Sequence, residues 1–255
     1  DDSFAEREDE IGILHRQFNE MASSTAILVR EKYTAELLAK EIQLQSLEKQ
    51  IQPHFLYNVL QSIQWRAIRI EADDIAEMTN CLGNLLRMTL SKKDKIISLG
   101  NELELVKSFV RIQQLRFEDQ IVFSLEADDE LLDLAIPKLI IQPLVENAIR
   151  YAVEINAETV CAITVSVHRA ETFMVIEVQN SGSSFEEDLL EKILVEKAQT
   201  HGFGISLANI YQRLRLTYNG EAEMQLVNEN GLATVRIRIP FRLLCPIGQE
   251  GTCTN

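Results

Sequence analysis

Gln50-Ile51-Gln52-Pro53-His54-Phe55-Leu56-Tyr57-Asn58 decides how this chain is read. A histidine stands directly after a proline, behind an amphipathic run and one helical turn before an asparagine. On a helix, His54 and Asn58 at i and i+4 share one face, where the carboxamide can orient the imidazole or position a water. Neutral imidazole carries a lone pair near physiological pH, so a histidine that is both exposed and held by a helix is a candidate nucleophile. Taken alone, such a histidine is more commonly a buried structural residue, and the surrounding motifs have to decide. Pro53 removes a backbone hydrogen bond and bends a helix that runs through it, a costly feature without a purpose. Phe55 follows His54, so no adjacent carboxylate is at hand as a general base.

Toward the N-terminus, residues 29–52 contain no Gly or Pro, and Leu37, Leu44 and Ile51 recur every seven residues with Leu47 between two of them. That is the a/d seam of a coiled coil, interrupted at Lys40, and it predicts a parallel two-helix stalk joining two subunits. A single helix packed on its own domain is the other reading. Earlier still, Ile11, Leu14, Phe18 and Met21 form one helical stripe within residues 1–28. Toward the C-terminus, residues 54–70 and 74–92 read as helices, and Asp73-Asp74 suits the second helix's N-terminus. The short connection between them predicts a hairpin, and two hairpins, one per subunit, make a four-helix bundle. A third helix is expected from about 101 to 117, which closes a helical dimerisation region over residues 53–119.

Beyond residue 120 the pattern changes. Alternating or β-branched runs at 120–126, 160–168, 172–180, 223–227 and 233–240 predict strands, and Asn228-Glu229-Asn230-Gly231 predicts the turn between the last two. Helices are expected at 138–152 and 205–217. The expected fold class is therefore α followed by α+β: a helical stalk and hairpin, then a two-layer sandwich over 120–243 with helices on one face of a mixed sheet. Residues 244–255 lack periodicity and are expected to form a disordered tail.

Composition narrows the function. A formal charge of −14 argues against a nucleic-acid surface, which needs clustered Lys and Arg. Mean hydropathy is −0.05, and no run of about 18 apolar residues is present to span a membrane as a helix. Cys81, Cys161, Cys245 and Cys253 are scattered without a C-x-x-C pair, so neither a structural zinc site nor a disulfide framework is expected, and a reducing cytoplasm is the simplest setting. The sequence has no initiator Met and begins in mid-pattern, so a fragment of a longer chain is expected.

Two further motifs follow the histidine: Leu139-Ile140-Ile141-Gln142-Pro143-Leu144-Val145-Glu146-Asn147-Ala148, and His201-Gly202-Phe203-Gly204-Ile205-Ser206-Leu207-Ala208-Asn209. Glycines let a backbone approach phosphate, and a helix N-terminus offers free N–H groups and a positive dipole end. Neither a Rossmann loop nor a P-loop is present, since each needs glycines this chain lacks. In this order, the three motifs resemble sensor histidine kinases of the LytS/YesM type, which carry a GHKL-type (Bergerat-fold) ATP-binding domain. Asp9-Glu10-Ile11-Gly12-Ile13-Leu14 with Phe18-Asn19-Glu20-Met21 is similar to the end of a HAMP linker.

The resemblance implies a division into a HAMP end at 1–28, a signalling helix at 29–52, a dimerisation and phosphoacceptor region at 53–119, and an ATP-binding domain at 120–243. It implies that His54 takes the γ-phosphate of ATP and that a receiver-domain aspartate of a response regulator then accepts it. Glu146 is the candidate base, with Asn58 beside the acceptor. Asn147 is implied as the magnesium ligand, and Arg150, Tyr151, Gly182, Gly202, Gly204, Ile205 and Leu207 as nucleotide contacts. The family's D-x-G-x-G is altered here: Asn180 stands for the aspartate that accepts the adenine amino group, and Ser184 for the second glycine. An asparagine carbonyl can still accept that bond, but its NH₂ needs a partner of its own. ATP and Mg²⁺ are the implied cofactors and a homodimer the implied assembly. The implied setting is the cytoplasmic side of a bacterial membrane, reached through an upstream transmembrane segment. Residues 185–201 are expected to form a lid, helical at 186–196. The altered adenine motif leaves two rivals open: a scaffold or pseudokinase that binds no ATP, and a GHKL ATPase without a histidine acceptor.

Overall fold

The computed structural model describes residues 21, 32, 53–90, 95–151, 160–186, 188–195 and 203–247. The expected linker and signalling helix at 1–52 lie outside the described residues except for Met21 and Lys32, both helical, and Gly202 also lies outside them. The chain divides into two units between Gln52 and Pro53, and the architecture lies in the second.

Helix α1 (Pro53–Arg69) begins on its proline, and α2 (Asp73–Leu90) begins on two aspartates. At the first position of a helix the missing N–H of proline costs nothing. The bend expected at Pro53 concerns a helix continuing from 50–52, outside the described residues. Between the helices, Glu71 adopts φ 56°, and the Ala72 amide reaches back 2.9 Å to the Ala67 carbonyl. This left-handed cap reverses the chain within three residues and gives the expected hairpin. Arg87 of α2 lies 5.8 Å from the centre of the Tyr57 ring of α1.

Strand β1 (Ile96–Ser98) and helix α3 (Leu99–Phe117) follow without a break, and Ser98 Oγ caps α3 by accepting from the Asn101 amide at 3.2 Å. Leu99, Leu103, Val106 and Val110 form the buried stripe of α3, and they belong to the same core as the strands. The third helix, expected in the dimerisation region, is thus built into the sheet domain, and the packing does not divide at 119/120. A stripe in sequence shows that a helix has an apolar face but not which core it meets. Arg111 of α3 grips Glu77 of α2 through two hydrogen bonds of 2.6 and 2.7 Å, joining the hairpin to this domain. Arg111 holds the Glu77 carboxyl below its ordinary pKa. The pair therefore contributes at neutral pH and is lost as the pH falls through the depressed value.

The main sheet runs β2 (Ile121–Ala127), β4 (Cys161–Ala170), β5 (Phe173–Asn180), β7 (Leu232–Pro240), β6 (Glu223–Glu229). Strands β2 and β4 are parallel and the other pairs antiparallel. A parallel pair needs a crossover. Here it holds β3 (Ala135–Pro137), paired with β1, and α4 (Gln142–Ile149). The period of two sorts the sheet's faces: Ile163, Val165 and Val167 of β4, Met174, Ile176 and Val178 of β5, and Val235, Ile237 and Ile239 of β7 are buried. Helices α3, α4 and α6 (Phe203–Thr217) contribute to the same core, making the two-layer sandwich. The opposite face is polar, with Arg236 bound to Glu177 and Glu229, and Ser124 Oγ 2.9 Å from Thr164 Oγ1. At the expected hairpin turn, Asn230 and Gly231 take φ 53° and 77°, the left-handed pair that a two-residue connection requires.

Three expectations need correction. Helix α4 starts at Gln142, not 138. Leu139 sits at φ 60°, and the amides of Leu139, Ile140, Ile141 and Gln142 all donate to the carboxylate of Glu102, at 2.8 to 3.3 Å. The tail is ordered at its start: Leu244 is buried, Cys245 O accepts from the Ala135 amide, and Pro246 bridges to Leu134. Residues 248–255 lie outside the described residues. Finally, Cys245 is disulfide-bonded, whereas Cys81 and Cys161 are free.

Candidate nucleotide site and acceptor helix

Alternation along β5 places Asn180 on the same buried face as Ile176 and Val178, at the strand's end where the helix layer leaves a gap. There a cavity of about 180 Å³ opens, walled by apolar residues that include Leu144, Ala148, Val178, Leu207 and Val235, with Asn147, Tyr151, Asn180, Ser183, Ser184 and Glu186 as polar groups. Flat apolar walls with a few convergent polar atoms are the usual build of a small-molecule site. Gly182 lies in the turn leaving β5 at φ 81°, a conformation that favours glycine.

Helix α4 and the wider helical turn that continues it over 150–151 turn Asn147 and Tyr151 toward the cavity, four residues apart. Asn147 is 8% exposed, and its Nδ2 is buried without a hydrogen-bond partner among the described residues. A buried unpaired amide costs about 1–3 kcal/mol, which a bound oxygen atom would offset. Glu146 and Arg150 flank this face and are exposed; Glu146 Oε2 accepts from Gln142 Nε2 at 3.4 Å. Neither lines the cavity. Gly204 and Ile205 fall in the first turn of α6, whose Leu207 is fully buried against the site. Asn180 is 5% exposed, and its Nδ2 donates to Ser181 O at 3.0 Å and Ser183 Oγ at 2.7 Å. The NH₂ that needed a partner therefore has two.

The loop before α4 is held from three sides. Glu102 caps its amides, Arg213 of α6 donates to the carbonyls of Lys138 and Leu139, and Lys138 Nζ donates to Thr89 O near the end of α2, at 3.2 Å. Burial pushes the Glu102 carboxyl up from its ordinary pKa, and the four amides pull against that shift. Sequence reasoning missed Glu102, because a lone glutamate in a helix reads as a solvated residue. It also missed Ser183. At the start of the segment expected to form a lid, Phe185 is paired through its amide and carbonyl with the Asn228 side chain, both at 2.9 Å. Helix α5 (Leu189–Val195), shorter than expected, buries Ile193 in the core.

His54 and Asn58 are exposed on α1, and neither lines the cavity. Asn58 Nδ2 lies 3.3 Å from His54 Nδ1. As placed, Nδ2 donates to Nδ1 and the ring proton sits on Nε2; with the carboxamide turned over, Oδ1 would accept from Nδ1–H and leave the Nε2 lone pair free. Among the described residues there is no group of three or more His, Cys, Asp or Glu that could hold a metal ion. No described helix is long and apolar enough to cross a membrane.

Residues 42–121 match the histidine kinase family, and residues 133–243 match the family described as histidine kinase-, DNA gyrase B-, and HSP90-like ATPase. The chain is 37% identical over 236 residues to the sensor histidine kinase YesM of Bacillus subtilis, covering 92% of this chain and 40% of that protein. It is 31% identical over 209 residues to the sensor protein LytS of Oceanobacillus iheyensis, covering 80% of this chain and 35% of that protein. The catalytic domain of the histidine kinase ThkA aligns with a TM-score of 0.46 at 21% identity, over 57% of this chain and 95% of that one. The chain spans less than half the length of these two curated relatives. Its two-layer sandwich is of the GHKL type. A histidine kinase region and an ATPase-type domain occur in one chain and in the order its three motifs set, and the chain belongs to the sensor histidine kinases of the LytS/YesM type.

Proposed function

We propose that this chain is the kinase portion of a two-component sensor, phosphorylating His54 from ATP and passing the phosphoryl group to a response-regulator aspartate. The observation that carries this reading is the cavity itself: an apolar slot with the Asn180 acceptor at β5 and the unpaired Asn147 amide on α4. Adenine fits between the apolar walls with its amino group on Asn180 Oδ1, and the phosphates run toward the first turn of α6. Asn147 would hold a magnesium ion through Oδ1 together with phosphate oxygens, where the ion would neutralise phosphate charge, while the unpaired Nδ2 would donate to a phosphate oxygen. One carboxamide plus phosphates suits a hard cation that keeps several waters.

The Nε2 lone pair of His54 attacks the γ-phosphorus, the bond to the ADP oxygen breaks, and a phosphoramidate forms as ADP leaves. The proton from the other ring nitrogen passes to a base, for which Glu146 is exposed beside Asn147. Positioning and charge stabilisation supply most of such catalysis. Because His54 does not line the cavity, the acceptor helix and the ATP-binding domain must approach each other for transfer.

The assembly is a homodimer through the hairpins. Phe55, Val59 and Ile63 follow at four-residue spacing on α1 and are 61%, 39% and 42% exposed. Ile75 and Leu82, seven apart on α2, are 51% and 38% exposed. Such a stripe is what a four-helix bundle between two copies covers. Val59→Glu places a charge in it and is expected to halve the mass measured by light scattering; an unchanged mass removes this face from the interface. The intact protein is proposed to act at the cytoplasmic face of a bacterial membrane, with residues 1–28 as the end of a HAMP linker and 29–52 as the signalling helix.

Titration with a fluorescent ATP analogue, with and without magnesium, tests the nucleotide site. Asn147→Ala is expected to weaken binding about 10- to 100-fold and to abolish the tightening that magnesium gives the wild type. Wild-type protein that binds no nucleotide at millimolar concentration would refute the reading and favour a scaffold.

A further inference from the structure

Lys138 follows β3 directly, and it is only 9% exposed. A lysine is rarely buried to this extent unless its ammonium is engaged, because the charge is costly to take out of water. Its backbone is held on both sides. The Lys138 amide donates to Lys95 O at 3.0 Å, extending the β1–β3 ladder, and the Lys138 carbonyl accepts from Arg213 of α6. The next residue, Leu139, is tied by Glu102 and by Arg213. The side chain therefore starts from a fixed point of the domain that carries the cavity.

It reaches out of that domain to the hairpin. Lys138 Nζ donates to Thr89 O at 3.2 Å, in the last turn of α2. The carbonyls of a helix's last turn have no partner within the helix, and a cation there also meets the negative end of the helix dipole. This turn lies beside the first turn of α1: Arg87 stands 5.8 Å from the centre of the Tyr57 ring, and Tyr57 shares its helical turn with His54. The Glu77–Arg111 pair grips α2 nearer its start. Lys138 thus joins the His54 end of the hairpin to the loop that leads into α4 and, through Arg213, to α6.

We propose that Lys138 is a positioning residue for phosphoryl transfer: by capping the last turn of α2, it fixes the His54 end of the hairpin against the domain that binds ATP. The inference rests on the histidine-kinase reading above and goes beyond it. Neither Lys138 nor Thr89 lines the cavity, so the tie acts without touching nucleotide. With that end pinned, the approach of His54 to the γ-phosphate is a turn about a held point and not a free search. Without it the acceptor end drifts, and a misplacement of about 1 Å can slow a reaction on the order of 100-fold. Packing alone does not call for the charge, since buried charged groups are often replaced by apolar ones of like volume without loss of stability.

Initial rates of His54 labelling against ATP concentration, with ATP affinity and thermal midpoint measured separately, test this on the wild type, Lys138→Met, Lys138→Arg and Lys138→Gln. Lys138→Met keeps the backbone contacts and the bulk of the side chain and removes the donor. It should lower the maximal labelling rate about 10- to 100-fold while ATP affinity and thermal midpoint stay as in the wild type. Lys138→Arg keeps a cation able to reach Thr89 O and should restore most of the rate. Lys138→Gln ends one bond short of that carbonyl and should be as slow as Lys138→Met; it carries the test if Lys138→Met does not fold.

A wild-type or raised maximal rate in Lys138→Met overturns the proposal. So does a fall that Lys138→Arg does not relieve, or one matched by lost ATP affinity. Failure of both Lys138→Met and Lys138→Gln to fold overturns it too, because Lys138 would then serve the fold. Wild type that takes no label on His54 overturns the histidine-kinase reading and this inference with it.

Discussion

His54→Gln is expected to leave the protein unlabelled by γ-labelled Mg-ATP while binding ATP as tightly as the wild type. Glutamine is long, polar and a good helix former, so it suits an exposed position on α1. Its nitrogen lone pair is delocalised into the carbonyl and attacks phosphorus no better than a backbone amide. Since His54 does not line the cavity, nucleotide affinity has no reason to change. Stability should stay within about 0.5 kcal/mol, as for other surface changes away from caps and cores. Label surviving the substitution would place the acceptor elsewhere. Lost labelling together with lost ATP binding would mean that the histidine supports the fold and is not the nucleophile.

Glu102→Ala is expected to have the largest effect on stability. The Glu102 side chain is fully buried, and its two oxygens take the amides of Leu139, Ile140, Ile141 and Gln142. Removing it leaves four amides unpaired just where α4 begins, those of Ile140 and Ile141 fully buried. A loss of about 3–5 kcal/mol follows, lowering the thermal midpoint by on the order of 10 °C. Glu102→Gln separates volume from chemistry. It fills the space, but its NH₂ meets an amide donor, so it should recover only part of the loss. Full recovery by glutamine, or no loss in alanine, would show that the capping contributes little. Because α4 carries Asn147 and leads into Tyr151, weaker nucleotide binding should accompany the alanine change.

Much of this was legible because the signals were periodic. In β4 the alternation of Ile163, Val165 and Val167 with Thr164 and Ser166 announces a half-buried strand, and Asn230-Gly231 announces the hairpin of β6 and β7. The Gly-x-Gly helix and the His54–Asn58 helix appear within two residues of where sequence places them. What stayed hidden depended on partners distant in sequence. Leu139-Ile140-Ile141 reads as the start of a helix, and only the carboxylate 37 to 39 positions away explains why it is not. Strands β1 and β3, three residues each, are too short to show a period. The stripe of α3 gave its face but not its core.

The candidate site shows the same division. Asn147, Tyr151, Asn180 and Leu207 come together at the cavity, while Glu146 and Arg150 stand beside it and His54 and Asn58 on a separate helix. The altered adenine motif reads as a defect when Asn180 is considered alone. Ser183, three residues on, supplies the partner that the substitution demands, and nothing in a short serine-rich turn signals that role.

The central claim, that a histidine of this chain receives the γ-phosphate of ATP, is tested most directly by the chemistry of the label. The protein is incubated with γ-labelled ATP and magnesium, divided between acid and base, and the surviving label mapped by peptide. A phosphoramidate on His54 predicts label lost in acid, retained in base and confined to the peptide that carries α1. Label that resists acid, or phosphate released with none on the protein, would contradict the account.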